Sequence, residues 1–154
     1  IYITPHKPVE AKQLAEFLEG LYEGIESRFE IENRTYHERP RKVEVYVQDL
    51  YQFVRDRRGE PLIVTSTRGE PLSRVADELA ETFKSSKEIA VLIGAREGIP
   101  TGIFRFADIV VDLAPGVTIS TDHALTSAII GFVTALEERG VFEAYRRKRE
   151  RERR

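Results

Sequence analysis

Three short runs, Leu62 to Thr65, Ile89 to Ile93 and Asp108 to Leu113, are apolar but for Thr65, Asp108 and Asp112, and this constrains the fold more than any other feature of the chain. A strand with one solvated face alternates apolar and polar residues; a strand that is apolar throughout is covered on both faces, as in a parallel sheet between helices. The stretches around the runs fit that reading. Val75, Leu79 and Phe83 recur at helical spacing between the first two, and a helical pattern from about Asp122 to Arg139, closed by Gly140, follows the third. The expected class is α/β, with a mostly parallel sheet covered by helices on both faces.

The first 60 residues read differently. Ile1 to Thr4 suggests a short strand, and Pro8 suits the first turn of a helix whose apolar stripe is Leu14, Phe17, Leu18, Leu21 and Tyr22, with Gly24 as its end. Ile25, Ser27, Phe29 and Ile31 then alternate with Glu26, Arg28 and Glu30, and Val43, Val45 and Val47 alternate with Glu44 and Tyr46, which predicts two half-buried strands. Asp49 can cap a short helix carrying Leu50, Phe53 and Val54, and Gly59 and Pro61 break the pattern after it. No repeat or low-complexity linker divides the chain. One domain over residues 1–145 and a basic tail over 146–154 are expected.

A chain of 154 residues buries roughly 68–70% of its unfolded surface on folding, enough for a core without metals or disulfides. There is no cysteine and no apolar run near the ~20 residues that span a bilayer, so a cytoplasmic protein with no membrane partner is expected. The absence of methionine implies that translation began upstream of Ile1. A single asparagine, Asn33, three glutamines and many Glu and Arg match the bias of proteins from hot environments, so a thermophilic source is expected.

The net charge of −2 excludes a wholly basic nucleic-acid coat and leaves only local patches. One is Asn33 to Lys42, where Arg34, Arg39, Arg41 and Lys42 surround Tyr36 and His37 with Glu38 as counter-charge. The other is the tail from Arg146, with seven basic residues against Glu150 and Glu152; it reads equally as a frayed helix end or as a phosphate-contacting segment.

Chemistry is best sought where the apolar strands end. Ile93 runs into Gly94, Ala95, Arg96, Glu97, Gly98, Ile99 and Pro100, and glycines there let a ligand approach the backbone, although a plain βα turn has the same composition. Leu113 runs into Ala114, Pro115 and Gly116, whose main chain can bond a planar base such as adenine; an ordinary Pro-Gly turn is the simpler alternative. The final helix carries Ala124, Leu125, Ala128, Ile129, Phe132, Val133, Ala135 and Leu136 on one broad face, with small residues, Ser127 and Gly131 among them, suited to core packing or to a dimer contact. No cluster of Asp, Glu and His has metal-site spacing, so metal-dependent phosphohydrolase or nuclease chemistry is disfavoured.

The run Leu-Ile-Gly-Ala-Arg-Glu-Gly-Ile-Pro from Leu92, then a strand, then Leu-Ala-Pro-Gly-Val-Thr-Ile-Ser-Thr-Asp-His-Ala-Leu from Leu113, resembles the cofactor-binding half of SPOUT methyltransferases. It is most similar to the small standalone type that methylates ribosomal pseudouridine, and the upstream strand, Arg68-Gly69 turn and helix from Leu62 through Ser73 to Phe83 also match that type. The resemblance covers about half of the chain. It implies a C-terminal deep trefoil knot, which no local rule suggests because knots are nearly absent from folds, and a homodimer whose interface includes the last helix. It further implies S-adenosylmethionine as cofactor, in contact with Leu62, Ile63, Val64 and Thr65, with Ile93, Gly94 and Gly98, with Leu113, and with the backbone of Pro115, Gly116, Val117, Thr118 and Ile119. The activity implied is methylation of a base in rRNA or tRNA. Asp122, His123 and Glu97 are the candidates for the group that takes a proton, each with a structural alternative: helix cap, packed first-turn residue and exposed carboxylate. His123 falls where the pseudouridine type has a histidine. Two departures stand out: the Tyr-His ending of that type is replaced by Arg-rich sequence, and the Asn and Arg motifs of the ribose-methylating branch are absent. A knotted RNA-binding or ribosome-assembly module without catalysis is the alternative function.

Overall fold

In a computed structural model that describes residues 1–35, 42–95 and 98–152, the contacts group the chain into two compact units, Ile1–Asp56 and Arg57–Arg154. Both contain parallel strands flanked by helices, an α/β organisation. Among the described residues no helix is long and apolar enough to cross a membrane.

In the first unit, β1 (Tyr2–Ile3) pairs in parallel with β2 (Tyr46–Val47), and the Tyr2 ring stacks on Tyr46 with centroids 5.0 Å apart. The helix α2 (Leu50–Asp56) begins as expected: the Asp49 carboxylate accepts the Gln52 N–H at 3.0 Å, and Leu50, Phe53 and Val54 are buried.

The helix α1 (Ala11–Thr35) differs from expectation in both its start and its end. Pro8 precedes it, Gly24 lies inside it, and Ile25 to Ile31 are helical, not a strand. Their alternation has a period of two, but Leu14, Leu18, Leu21, Ile25, Phe29 and Glu32 also form one continuous helical face, and these are the half-buried residues of the helix. Ion pairs at i,i+4, Arg28 with Glu32 and Arg34 with Glu30, support the same conformation. An interior glycine costs about 1 kcal/mol relative to alanine, too little to stop a helix of this length. The second expected strand is present but shorter than Val43 to Val47, with only Tyr46 and Val47 paired.

In the second unit a parallel sheet has the order β4-β3-β5, from β3 (Leu62–Pro71), β4 (Ala90–Ile93) and β5 (Ile109–Asp112). The helices α3 (Leu72–Ser85) and α4 (Thr121–Glu138) close the core against it, where Ile63, Leu79, Ile109, Val111, Phe132 and Leu136 meet. Arg139 ties the two helices, its Nε donating to the Asp77 carboxylate at 2.6 Å. Gly140, with φ of +72°, ends α4 as expected: its N–H bonds the Glu137 carbonyl while the Val141 N–H bonds that of Leu136.

The expected turn at Arg68-Gly69 is instead an excursion inside β3. Thr65 and Glu70 both pair with Val111, so residues 66–69 leave the ladder and the strand resumes through Pro71 opposite Asp112. Gly69 makes this possible, since a Cβ there would lie 2.6 Å from the Val110 carbonyl and the Val111 nitrogen. The basic tail from Arg146 lies within α5 (Glu143–Glu152), where Arg146 pairs with Glu137 and Arg147 with Glu143; Arg153 and Arg154 lie outside the described residues.

Candidate functional site

The register determines where the strand ends meet. Thr65 stands opposite both Ile93 and Val111, and because all three strands are parallel, the segments that leave them emerge at one carboxyl edge of the sheet. In open parallel sheets this edge is where ligands bind. Thr65 is fastened there by its hydroxyl, which donates to the Leu92 carbonyl at 3.1 Å.

The Gly98 N–H bonds the Ala95 carbonyl at 3.1 Å, Gly98 has φ of +79°, and a Cβ on Gly94 would sit 3.1 Å from the Gly98 Cα. Both glycines therefore have a geometric reason: one supplies the left-handed backbone, the other the room for it. Arg96 and Glu97, the latter a candidate proton acceptor, lie outside the described residues.

After β5, the Asp112 carboxylate accepts the Ala114 N–H at 3.1 Å, and the Val117 N–H closes a turn on the Ala114 carbonyl at 2.9 Å. Pro115 occupies its second position and Gly116, with φ of +80°, its third, as a type II turn requires. Leu113 turns inward onto the core, whereas Pro115, Gly116, Val117 and Thr118 are exposed and Ile119 is half-buried. Among the described residues, the N–H groups of Gly116, Thr118 and Ile119 make no hydrogen bond to protein.

The chain then enters α4 with Ser120 as its first flanking residue, which places Asp122 and His123 in the exposed first turn. Neither side chain hydrogen-bonds another described residue, and the capping position belongs to Ser120, not Asp122.

The structure thus brings Thr65, Ile93, Gly94, Gly98 and the turn from Leu113 to one edge, with Asp122 and His123 following that turn. Leu62, Ile63 and Val64 lie deeper, with their side chains in the core; Leu62 is opposite Ala90 at the far end of the strands. Sequence reasoning missed Asp112, although an Asp two residues before a turn is a recognisable local signature. It also missed the excursion, because nothing in Thr-Ser-Thr-Arg-Gly-Glu-Pro announces that pairing resumes after the glycine.

Elsewhere the expected basic patch around Tyr36 is only partly described. Arg34 pairs with Glu30, and Lys42 pairs with Glu26 at 2.8 Å and lies over the Phe29 ring; Tyr36, His37, Glu38, Arg39 and Arg41 are outside the described residues. Lys42 and Val43 border a cleft along the Gly20, Gly24 and Arg28 side of α1.

Comparison with known proteins identifies the family. Over 132 residues the chain is 47% identical to "Uncharacterized protein MJ0421" of Methanocaldococcus jannaschii, a match that covers 84% of this chain and 37% of that protein, so the chain spans well under half of its relative's length. Residues 1–154 match the family described as "AF2226-like SPOUT RNA Methylase fused to THUMP". With the whole of its length matched, the chain belongs to this family of SPOUT RNA methylases.

Proposed function

We propose that the chain is the methyl-transferring part of an S-adenosylmethionine-dependent RNA methyltransferase that acts, as a homodimer, on a base of rRNA or tRNA. The observation that carries the reading is that the chain segments after Ile93 and Leu113 leave the sheet at the same edge as Thr65, in a chain that belongs to an RNA methylase family. The edge fits the cofactor chemically. The unengaged N–H groups of Gly116, Thr118 and Ile119 offer an adenine the main-chain donors it needs, and the exposed turn leaves the carbonyls beside them accessible.

Bound there, S-adenosylmethionine supplies an electrophilic methyl group. The work left to the protein is to hold the target base in line and to remove a proton from it. Asp122 and His123 have proton-accepting side chains that stand exposed directly after the proposed adenine turn and hydrogen-bond no other described residue. Glu97, outside the described residues, is the third candidate. The homodimer is supported by α4, whose Leu125, Ile129, Ile130 and Val133 are exposed and contiguous. The family's trefoil knot is part of the same proposal.

Titration calorimetry with S-adenosylhomocysteine, together with transfer of labelled methyl to RNA, tests the reading. Gly94→Val forces a side chain against Gly98 and is expected to abolish cofactor heat in a protein that still folds. Unchanged affinity in that variant removes the site. RNA binding by the native chain without cofactor heat points to the non-catalytic module.

A further inference from the structure

The excursion at residues 66–69 is built more tightly than a loose bulge. At one end Thr65 is held to Leu92, in the middle the Ser66 hydroxyl accepts the Arg68 N–H at 3.2 Å, and at the other end Gly69 lies against the Val110 backbone. The stem of Arg68 therefore starts from a fixed point beside the carboxyl edge. Its guanidinium carbon lies 5.9 Å from the centre of the Phe104 ring, on the 3-10 helix Thr101–Phe106. The same short helix carries a second cation on an aromatic face, Arg105 at 4.8 Å from the centre of Phe106.

Arg68 is exposed, and no carboxylate of a described residue pairs with it, whereas Arg74, Arg139, Arg146 and Arg147 of the same unit each have one. The distinction matters chemically. A carboxylate occupies the N–H donors of a guanidinium, but an aromatic ring attracts the cation and steadies it without taking any of those donors. A steadied guanidinium with free donors suits a bidentate acceptor, and the acceptor in an RNA is a phosphodiester.

We propose that Arg68, seated on Phe104, contacts a backbone phosphate of the RNA and sets the target strand beside the Thr65 edge. It is a positioning residue and takes no part in the chemistry. The inference rests on the reading of the chain as an RNA methylase and adds to it the contact that orients the substrate.

The test uses the full chain and single-stranded oligouridylate as probe, with affinity measured across a salt series. Each phosphate that the protein ceases to neutralise lowers the slope of log affinity against log salt by about 0.7 for a single strand. Arg68→Ala is expected to show that decrease and about tenfold weaker binding at low salt. Arg68→Lys should keep the slope but bind less tightly than the native protein, since the charge remains and the planar fork is absent. Phe104→Leu should weaken binding with the slope retained. S-adenosylhomocysteine affinity should be the same for native protein and all three variants, and thermal unfolding the same for the two Arg68 variants; Phe104→Leu, which trims a partly buried ring, is expected to unfold at a somewhat lower temperature. A native slope in a folded Arg68→Ala protein overturns the inference while leaving the methylase reading intact. A native chain that binds neither the oligonucleotide nor S-adenosylhomocysteine overturns both.

Discussion

Single residues at the carboxyl edge divide into those that shape the backbone and those left free to act. Gly94, Gly98, Gly116 and Asp112 are fully accounted for by the turns they build, and their geometry does not depend on a ligand. Asp122 and His123 are the reverse: their side chains are exposed and hydrogen-bond no other described residue, and Asp122 adds to the fold only its negative charge in the first turn of α4. Their substitution should therefore separate function from stability. If one of them accepts the proton, Asp122→Asn or His123→Ala is expected to lower single-turnover methylation by about 10²-fold or more while cofactor affinity stays near the native value. A loss below about threefold in both variants would leave positioning as the source of rate and leave both residues without a catalytic role. Of these residues the sequence exposed the glycines and the Asp-His pair, because strand ends can be read from apolar runs. It did not expose Arg68 as distinct from its neighbours, since the partner that steadies it, Phe104, is 36 positions away and only tertiary structure joins them.

At the level of elements, the legible parts were those with one possible period. The runs Leu62 to Thr65, Ile89 to Ile93 and Asp108 to Leu113 are too short and too apolar to be exposed helices, and each is a strand within a residue or so of its expected bounds, although β3 continues on to Pro71. Ile25 to Ile31 satisfied two periods at once, and helix continuity with Leu18 and Leu21 decided between them. The helix α5 has a different ambiguity, since its arginines and glutamates fit both a solvated helix and an RNA contact. Arg146 and Arg147 are paired to glutamates, which reduces what they can offer a phosphate. Removal of Arg147 to Arg154 is expected to weaken RNA binding evenly across sequences and to lower the salt slope by about 0.7–0.9 for each phosphate the tail would otherwise neutralise. An unchanged slope would assign α5 to the solvated kind.

For the whole molecule, the two faces of α4 matter most. Its inner face, with Ala128, Phe132, Ala135 and Leu136 buried, accounts for the small residues by core packing, and Gly131 sits 3.3 Å, measured from a notional Cβ, from Leu72. The outer face is apolar as well, with Ile130 62% and Ile129 55% exposed, which is more than core packing requires. Sedimentation of the native chain is expected at about twice 17.7 kDa, and Ile130→Glu should shift it to the monomer without unfolding it. A native monomer at micromolar concentration that still methylates RNA would defeat the dimer. Sequence patterning put Leu125, Ile129 and Val133 on one broad face with Ala128, Phe132, Ala135 and Leu136; the core takes only the latter four and leaves the former exposed.

The doubled pairing at Val111 has a consequence for how such a site can diversify. Because Thr65 and Glu70 share one partner, the residues between them add length to the chain without advancing the ladder. Insertions or deletions among Ser66, Thr67 and Arg68 can therefore alter what the edge presents while β3 re-enters the sheet in the same phase, provided Gly69 remains to slip past Val110. The sheet is in this sense buffered against change in the segment nearest the proposed substrate, and new specificities can be sampled there without a frameshift in the core.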